Sequence, residues 1–113
     1  MVKTPMSQQP PYRELRKTLD GFARLRRPDG AAIQAAAAVT AALRDFSAIE
    51  RAIVQHRLEV EFPSGNVRTF ESVEAMRGEQ QVITREVQPQ LALIDARVKA
   101  AATRRVIKSP FMN

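Results

Sequence analysis

The chain has 113 residues, no cysteine, 44% apolar but only 5% aromatic residues, and a net charge of +6. That length is one domain's worth with a modest core, and the lack of cysteine excludes a disulfide framework and thiolate metal sites. Few bulky rings and a large alanine share suit closely packed helices, with partners completing the buried surface.

The charge is uneven: residues 1–27 carry +5, residues 28–96 carry −4 and residues 97–113 carry +5. Both ends are basic around a mildly acidic middle. MVKTPMSQQPP lacks the apolar segment of a secretory signal. The run AAIQAAAAVTAAL is mostly alanine and contains Gln34 and Thr40, which makes it a poor membrane span. A soluble protein without membrane contact is expected.

Residues 1–11, with Pro5, Pro10 and Pro11, read as a flexible arm because they carry too little apolar surface to offset ordering entropy. From Tyr12 to about Arg26, Leu15, Leu19, Phe22 and Leu25 recur at steps of four and three, the spacing of a short amphipathic helix. Arg27-Pro28-Asp29-Gly30 breaks it, and Asp29 is suited to cap the next helix. That second helix is predicted from Ala31 to Gln55, roughly 37 Å long, with the stripe Ile33, Ala36, Val39, Leu43, Phe46, Ile49 and Ile53. Its alanines leave a thin surface that another helix can approach.

Leu58, Val60 and Phe62 then alternate with Arg57, Glu59 and Glu61, the period-two pattern of a half-buried strand. Pro63-Ser64-Gly65-Asn66 is turn chemistry, with Gly65 free to take a positive φ. A loop of Ser64 and Gly65 would place Phe62 opposite Val67, Glu61 opposite Arg68 and Val60 opposite Thr69, with Phe70 ending the second strand. Ser72 suits the cap of a third helix whose stripe runs Val73, Met76, Gln80, Ile83, Val87, Leu91, Ile94, Val98 and Ala101. Pro89 should kink or break it near Gln88. After Arg105 the stripe stops.

The predicted fold is mainly α with one β-hairpin, an α+β arrangement in which two long antiparallel helices are capped by a two-stranded hairpin and joined by a short N-terminal helix. The arm covers 1–11, a single helical domain 12–105 with the hairpin at 57–71, and a tail 106–113. Folding brings both basic segments to the pole opposite the hairpin.

His56 is the only histidine, and without a second imidazole or a thiol it does not make a metal or catalytic set. Glu59 and Glu61 share one strand face and read as solvated rather than as an acid/base pair. Gly21, Gly30, Gly65 and Gly78 form no phosphate-cradling run. A non-enzymatic protein with no cofactor is expected. Arg24, Arg26 and Arg27, with Arg104, Arg105 and Lys108, offer a sequence-independent, salt-sensitive contact to phosphates, while no base-reading motif accompanies them. The segment RRVIKSPFMN joins Arg104, Arg105 and Lys108 to Ile107, Phe111 and Met112 without continuing a helical stripe, so it is expected to order on a partner.

Helix, short hairpin, helix and basic tail together resemble the small head-completion proteins of tailed bacteriophages, the lambda W family. The matching residues are Leu58 to Phe62, the turn Ser64-Gly65, Val67-Arg68-Thr69-Phe70, Ser72-Val73 at the start of the last helix, and Arg104-Arg105 through Pro110-Phe111. About half the chain takes part; the N-terminal helix and the longer helices depart from the family. The resemblance implies a virion adaptor in the neck, many copies forming a ring on the portal protein and giving the tail or neck protein a platform; the basic ends, read from the residues themselves, would allow a non-specific contact with packaged DNA. Two other readings stay open: a non-specific nucleic-acid-binding protein, and a helical-hairpin chaperone that binds one helix of a client.

Overall fold

The computed structural model describes residues 10–108, with side chains as far as Thr103. The fold is mainly helical with one two-stranded antiparallel β-hairpin. Helix α1 spans Pro10–Ala23. It opens on two prolines because first-turn residues need no N–H for an intrahelical bond, so it starts two residues before the predicted Tyr12. It ends at Ala23 rather than near Arg26, in a turn where Arg24 N–H donates to Gly21 and Leu25 N–H to Phe22.

Helix α2, Gly30–Val54, is capped as expected by Asp29, whose carboxylate accepts the Ala32 N–H at 3.2 Å. Its buried face differs at the start from the predicted stripe. Ile33 is 52% exposed, while Ala32, Ala35, Ala36 and Val39 are buried. In this half the inward face is set by which side lets two neighbouring helices come close, and alanine does that better than isoleucine.

The end of α2 explains the lone histidine. His56 adopts φ 57°, and its N–H donates to Ile53 O while Arg57 N–H donates to Ala52 O at 2.9 Å. This pair of bonds is a Schellman close with histidine at the left-handed position that glycine usually fills.

Strands β1 (Glu59–Glu61) and β2 (Val67–Thr69) follow. Glu59 lies opposite Thr69, Val60 opposite Arg68 and Glu61 opposite Val67, one residue away from the predicted register. The loop has three residues, Pro63-Ser64-Gly65, not two. Phe62 N–H donates to Asn66 O, and Gly65 N–H donates to Phe62 O, both at 2.8 Å, with Gly65 at φ 94°. A turn followed by a left-handed residue absorbs the extra residue while matching the strand twist. A slip of one exchanges faces: Arg68, predicted to pair with Glu61 on the solvent face, joins Val60 and Phe70. Its guanidinium lies 4.5 Å from the Phe70 ring centroid and reaches Glu79 at 3.3 Å.

Ser72 caps helix α3, Val73–Glu86, by accepting the Ala75 N–H at 3.1 Å. The helix ends at Val87, and α4 runs Gln88–Lys108. Pro89 therefore breaks the predicted long helix, since it has no N–H to continue the ladder. Val87 also serves α4, its carbonyl accepting Leu91 N–H at 2.9 Å. The predicted tail from residue 106 is corrected, because the helix continues through Lys108. Alanine, arginine and lysine propagate a helix without an apolar stripe to guide them.

Pairs between elements define the packing. Glu50 with Arg77, Phe46 with Gln80, and Asp29 with Arg97 run in opposite directions, so α2 is antiparallel to both α3 and α4. Glu14 with Gln88 and Thr18 with Asp95 run together, so α1 lies parallel to α4. A side chain at Gly21 would come within 3.3 Å of Val98, which shows how near the two helices pass. Leu15, Ala35, Ala36, Val39, Leu91 and Ile94 form a core where three helices meet, with Leu43 packed against it. Ile49, Ile53, Val60, Phe70 and Met76 form a second core under the hairpin. The result is a rod of 62 × 33 × 17 Å.

Between the cores lies a polar junction. Gln80 donates its amide to Phe46 O at 3.2 Å and to Glu50 at 3.1 Å, and its own oxygen accepts from Arg77 at 3.0 Å. Arg77 also pairs with Glu50, which is buried. Arg77→Met is expected to destabilise by about 1–3 kcal/mol, because it removes a countercharge from a buried carboxylate. Glu50→Leu with Arg77→Met should cost less than the sum of the single changes, as urea unfolding of the double-mutant cycle would show.

At the opposite end Arg97 clasps Asp29, with Nη2 to Oδ2 at 3.0 Å. The Arg97 hydrogen bond is the main cause holding the Asp29 carboxyl below its ordinary value of 3.8. Because the folded value is lowered, the charge contributes fully above about 3.8 and the contribution is lost as pH falls through the lower folded value. An asparagine in its place would still cap the helix through its side-chain oxygen. Asp29→Asn should therefore melt below the wild type at pH 7, with the gap closing under pH 3.8 in thermal scans followed by circular dichroism.

Backbone conformation gives a paired prediction. Gly65→Val should lower stability by about 1 kcal/mol or more, since a β-branched residue resists φ 94°. His56→Gly should raise it by about 1 kcal/mol by relieving the left-handed position. Opposite signs in denaturant midpoints are the expected result.

Candidate partner-binding surfaces

The rod presents two chemically different ends. At the hairpin end, the Schellman close turns the chain out of α2, and the three-residue loop returns it to the Ser72 cap of α3. Val60 and Phe70 are consumed by the core beneath, and Phe62 packs at its edge. The large apolar groups left over are Val54 at 57% exposure, Leu58 at 40%, Val67 at 58% and Val73 at 46%. All four belong to residues 54–73, the segment that builds this end. Glu59 and Glu61 share the outer strand face with Val67 and Thr69. Ser64 steadies the loop by accepting the Asn66 N–H at 3.4 Å.

Of the residues predicted to build the hairpin, Val67 is exposed, Ser64 and Gly65 form the exposed loop, and Phe62 is half-buried. Phe70 is excluded from a partner surface by its burial. Pairing alone could not rank them, because a shift of one register position exchanges the faces.

At the other end, Arg24, Arg26 and Arg27 are exposed in the turn between α1 and α2. Arg27 and Leu25 border a small recess closed by Pro28, Asp29 and Arg97. Arg104, Arg105, Ile107 and Lys108 fall on the last turns of α4, whose backbone runs past Arg97 by 11 residues, about 16 Å of axis at Lys108. Their side chains lie outside the described residues, as do Phe111 and Met112 altogether. The Asp29–Arg97 clasp shows that the start of α2 and the later part of α4 share this end, as folding the two stripes together required.

The sequence reading did not single out Arg13, Arg16 and Lys17. They lie opposite Leu15, Leu19 and Phe22 and extend the exposed cations of the turn along α1. The helical spacing of those apolar residues was the available signal, since it fixes the outward face as well as the inward one.

Among the described residues no cluster of three or more histidine, cysteine or acidic side chains could hold a metal ion, and no helix is long and apolar enough to cross a membrane. No family model matches the chain, and no curated protein or solved structure shows significant similarity to it.

Proposed function

We propose that this chain is a non-enzymatic structural adaptor of a tailed bacteriophage, binding the portal as a multi-copy ring at the head-to-tail junction and offering a platform for the tail or neck protein. The observation that supports this reading is the concentration at the hairpin end of Val54, Leu58, Val67 and Val73, four of the five large apolar residues exposed among the described residues, the fifth being Ile33. An apolar group that a small chain leaves in water where it has room to bury it is suited to contact between proteins. A single hairpin is marginal as an isolated element, yet here it is braced by the core formed with Ile49, Ile53 and Met76. It can thus present a rigid edge to a neighbouring copy or to a tail component. The cationic far end is then directed to the portal, and the C-terminal segment follows it.

The reading has a direct test. Particles assembled without this chain should hold DNA yet carry no tails, and added wild-type protein should restore tail attachment. Val67→Asp with Val73→Asp should keep the melting temperature within a few degrees, because surface changes move stability by about 0.5 kcal/mol or less. That variant should fail to restore tails. Removal of residues 109–113 should likewise preserve melting while reducing incorporation into particles. Normal tail attachment in the absence of the protein would overturn the proposal.

A further inference from the structure

We infer that the outward face of α1, continued by the turn after it, is a binding surface for the phosphate backbone of double-stranded nucleic acid. At 100° per residue, Arg13, Arg16, Lys17 and Asp20 fall on one side of the helix, directly opposite Leu15, Leu19 and Phe22, and Arg24 follows one residue past its end. All five are exposed. Arg26 and Arg27 extend the row through the turn, also exposed. From Arg13 to Asp20 the row covers about 10 Å of helix axis, the rise of about three base pairs, before the turn continues it.

The charges on this face are largely unspent. Arg16 pairs with Asp20 at 3.5 Å, but among the described residues Arg13, Lys17, Arg24, Arg26 and Arg27 make no ion pair. Elsewhere Arg57 is engaged with Glu59, Arg68 with Glu79, Arg77 with Glu50 and Arg97 with Asp29, while the other unpaired cations among the described residues, Arg44, Arg51, Arg85 and Lys99, are spread over α2, α3 and α4. Five unpaired cations in a row are an unfavourable self-repelling arrangement unless counterions or phosphates neutralise them. They also stand on a firm base, because Leu15 and Thr18 on the inner face are buried against the bundle. A rigid row keeps its spacing, so less ordering entropy is lost on binding.

The same geometry selects duplex over single strand. Single-strand binders stack bases on exposed aromatic rings. Of the two aromatic residues on α1, Phe22 packs against the core on the inner face, and Tyr12 is half-buried with its ring 6.5 Å from that of buried Phe46. α1 carries no asparagine or glutamine to read adenine beside these cations, and the contact inferred is to backbone charge, independent of sequence. The inference does not depend on the connector reading, since it concerns the free protein and any duplex.

The test is the affinity of the full chain for a 20-base-pair random duplex, followed by fluorescence anisotropy from 50 to 200 mM salt. Five phosphate contacts give a slope of log K against log salt of about −4.5, a loss of roughly 500-fold over that range. Arg13→Gln, Lys17→Gln and Arg24→Gln together should reduce the slope to about −1.8, or roughly tenfold. The melting temperature of this variant should stay unchanged, since all three residues are exposed. Arg104→Gln, Arg105→Gln and Lys108→Gln serve as a comparison with the other basic segment. Equal slopes for wild type and the α1 variant, loss confined to the α4 variant, tighter binding of a single strand, or binding only to vesicles with anionic lipid would each overturn the inference. Failure here leaves the tail-attachment test untouched.

Discussion

The polar junction of Glu50, Arg77 and Gln80 is the constraint on which the rest of the rod depends. Apolar stripes alone specify which faces of two helices meet but tolerate sliding by a turn, about 5.4 Å. Gln80 removes that freedom because its amide must reach Phe46 O and Glu50 at the same time. Displacing α3 by one turn would bury an amide and a carboxylate away from these partners, at a cost of a few kcal/mol. One axial position of α2 against α3 satisfies them.

With that position held, the two cores and the two ends follow. Thr84 bonds back to Gln80 O at 2.9 Å, so the polar stripe continues down α3 toward the break at Val87. Beyond the break, α4 is free to choose its own angle. It lies against α1 and the alanine-rich half of α2, where Ala35 and Ala36 leave room. On the hairpin side the larger Ile49, Ile53 and Met76 form a base wide enough for Val60 and Phe70. Small residues at one end and large ones at the other make α2 the common wall of both cores.

The surfaces proposed for function are by-products of this division. The hairpin end has more apolar side chains than its small base can cover, and Val54, Leu58, Val67 and Val73 remain outside. The α1 face is cationic because the inward half of that helix takes its large apolar residues, Leu15, Leu19 and Phe22, leaving the outward half to arginine and lysine. The two ends of the rod are therefore chemically unlike.

Much of the fold was legible in the sequence because its signals are local. Caps at Asp29 and Ser72, the turn at Gly65, the break at Pro89 and the period of each apolar stripe depend on residues within one or two turns of each other. Three features were decided only in the tertiary structure. The hairpin register depends on a three-residue loop whose bonds join Phe62 to both Gly65 and Asn66, and two- and three-residue loops share the same turn residues. The exposure of Ile33 depends on where α1 and α4 sit, since alanine and isoleucine both fit a helical stripe and contact distance chooses between them. The junction of Glu50, Arg77 and Gln80 joins residues about 30 positions apart, and at that separation no local period records which polar side chains will meet.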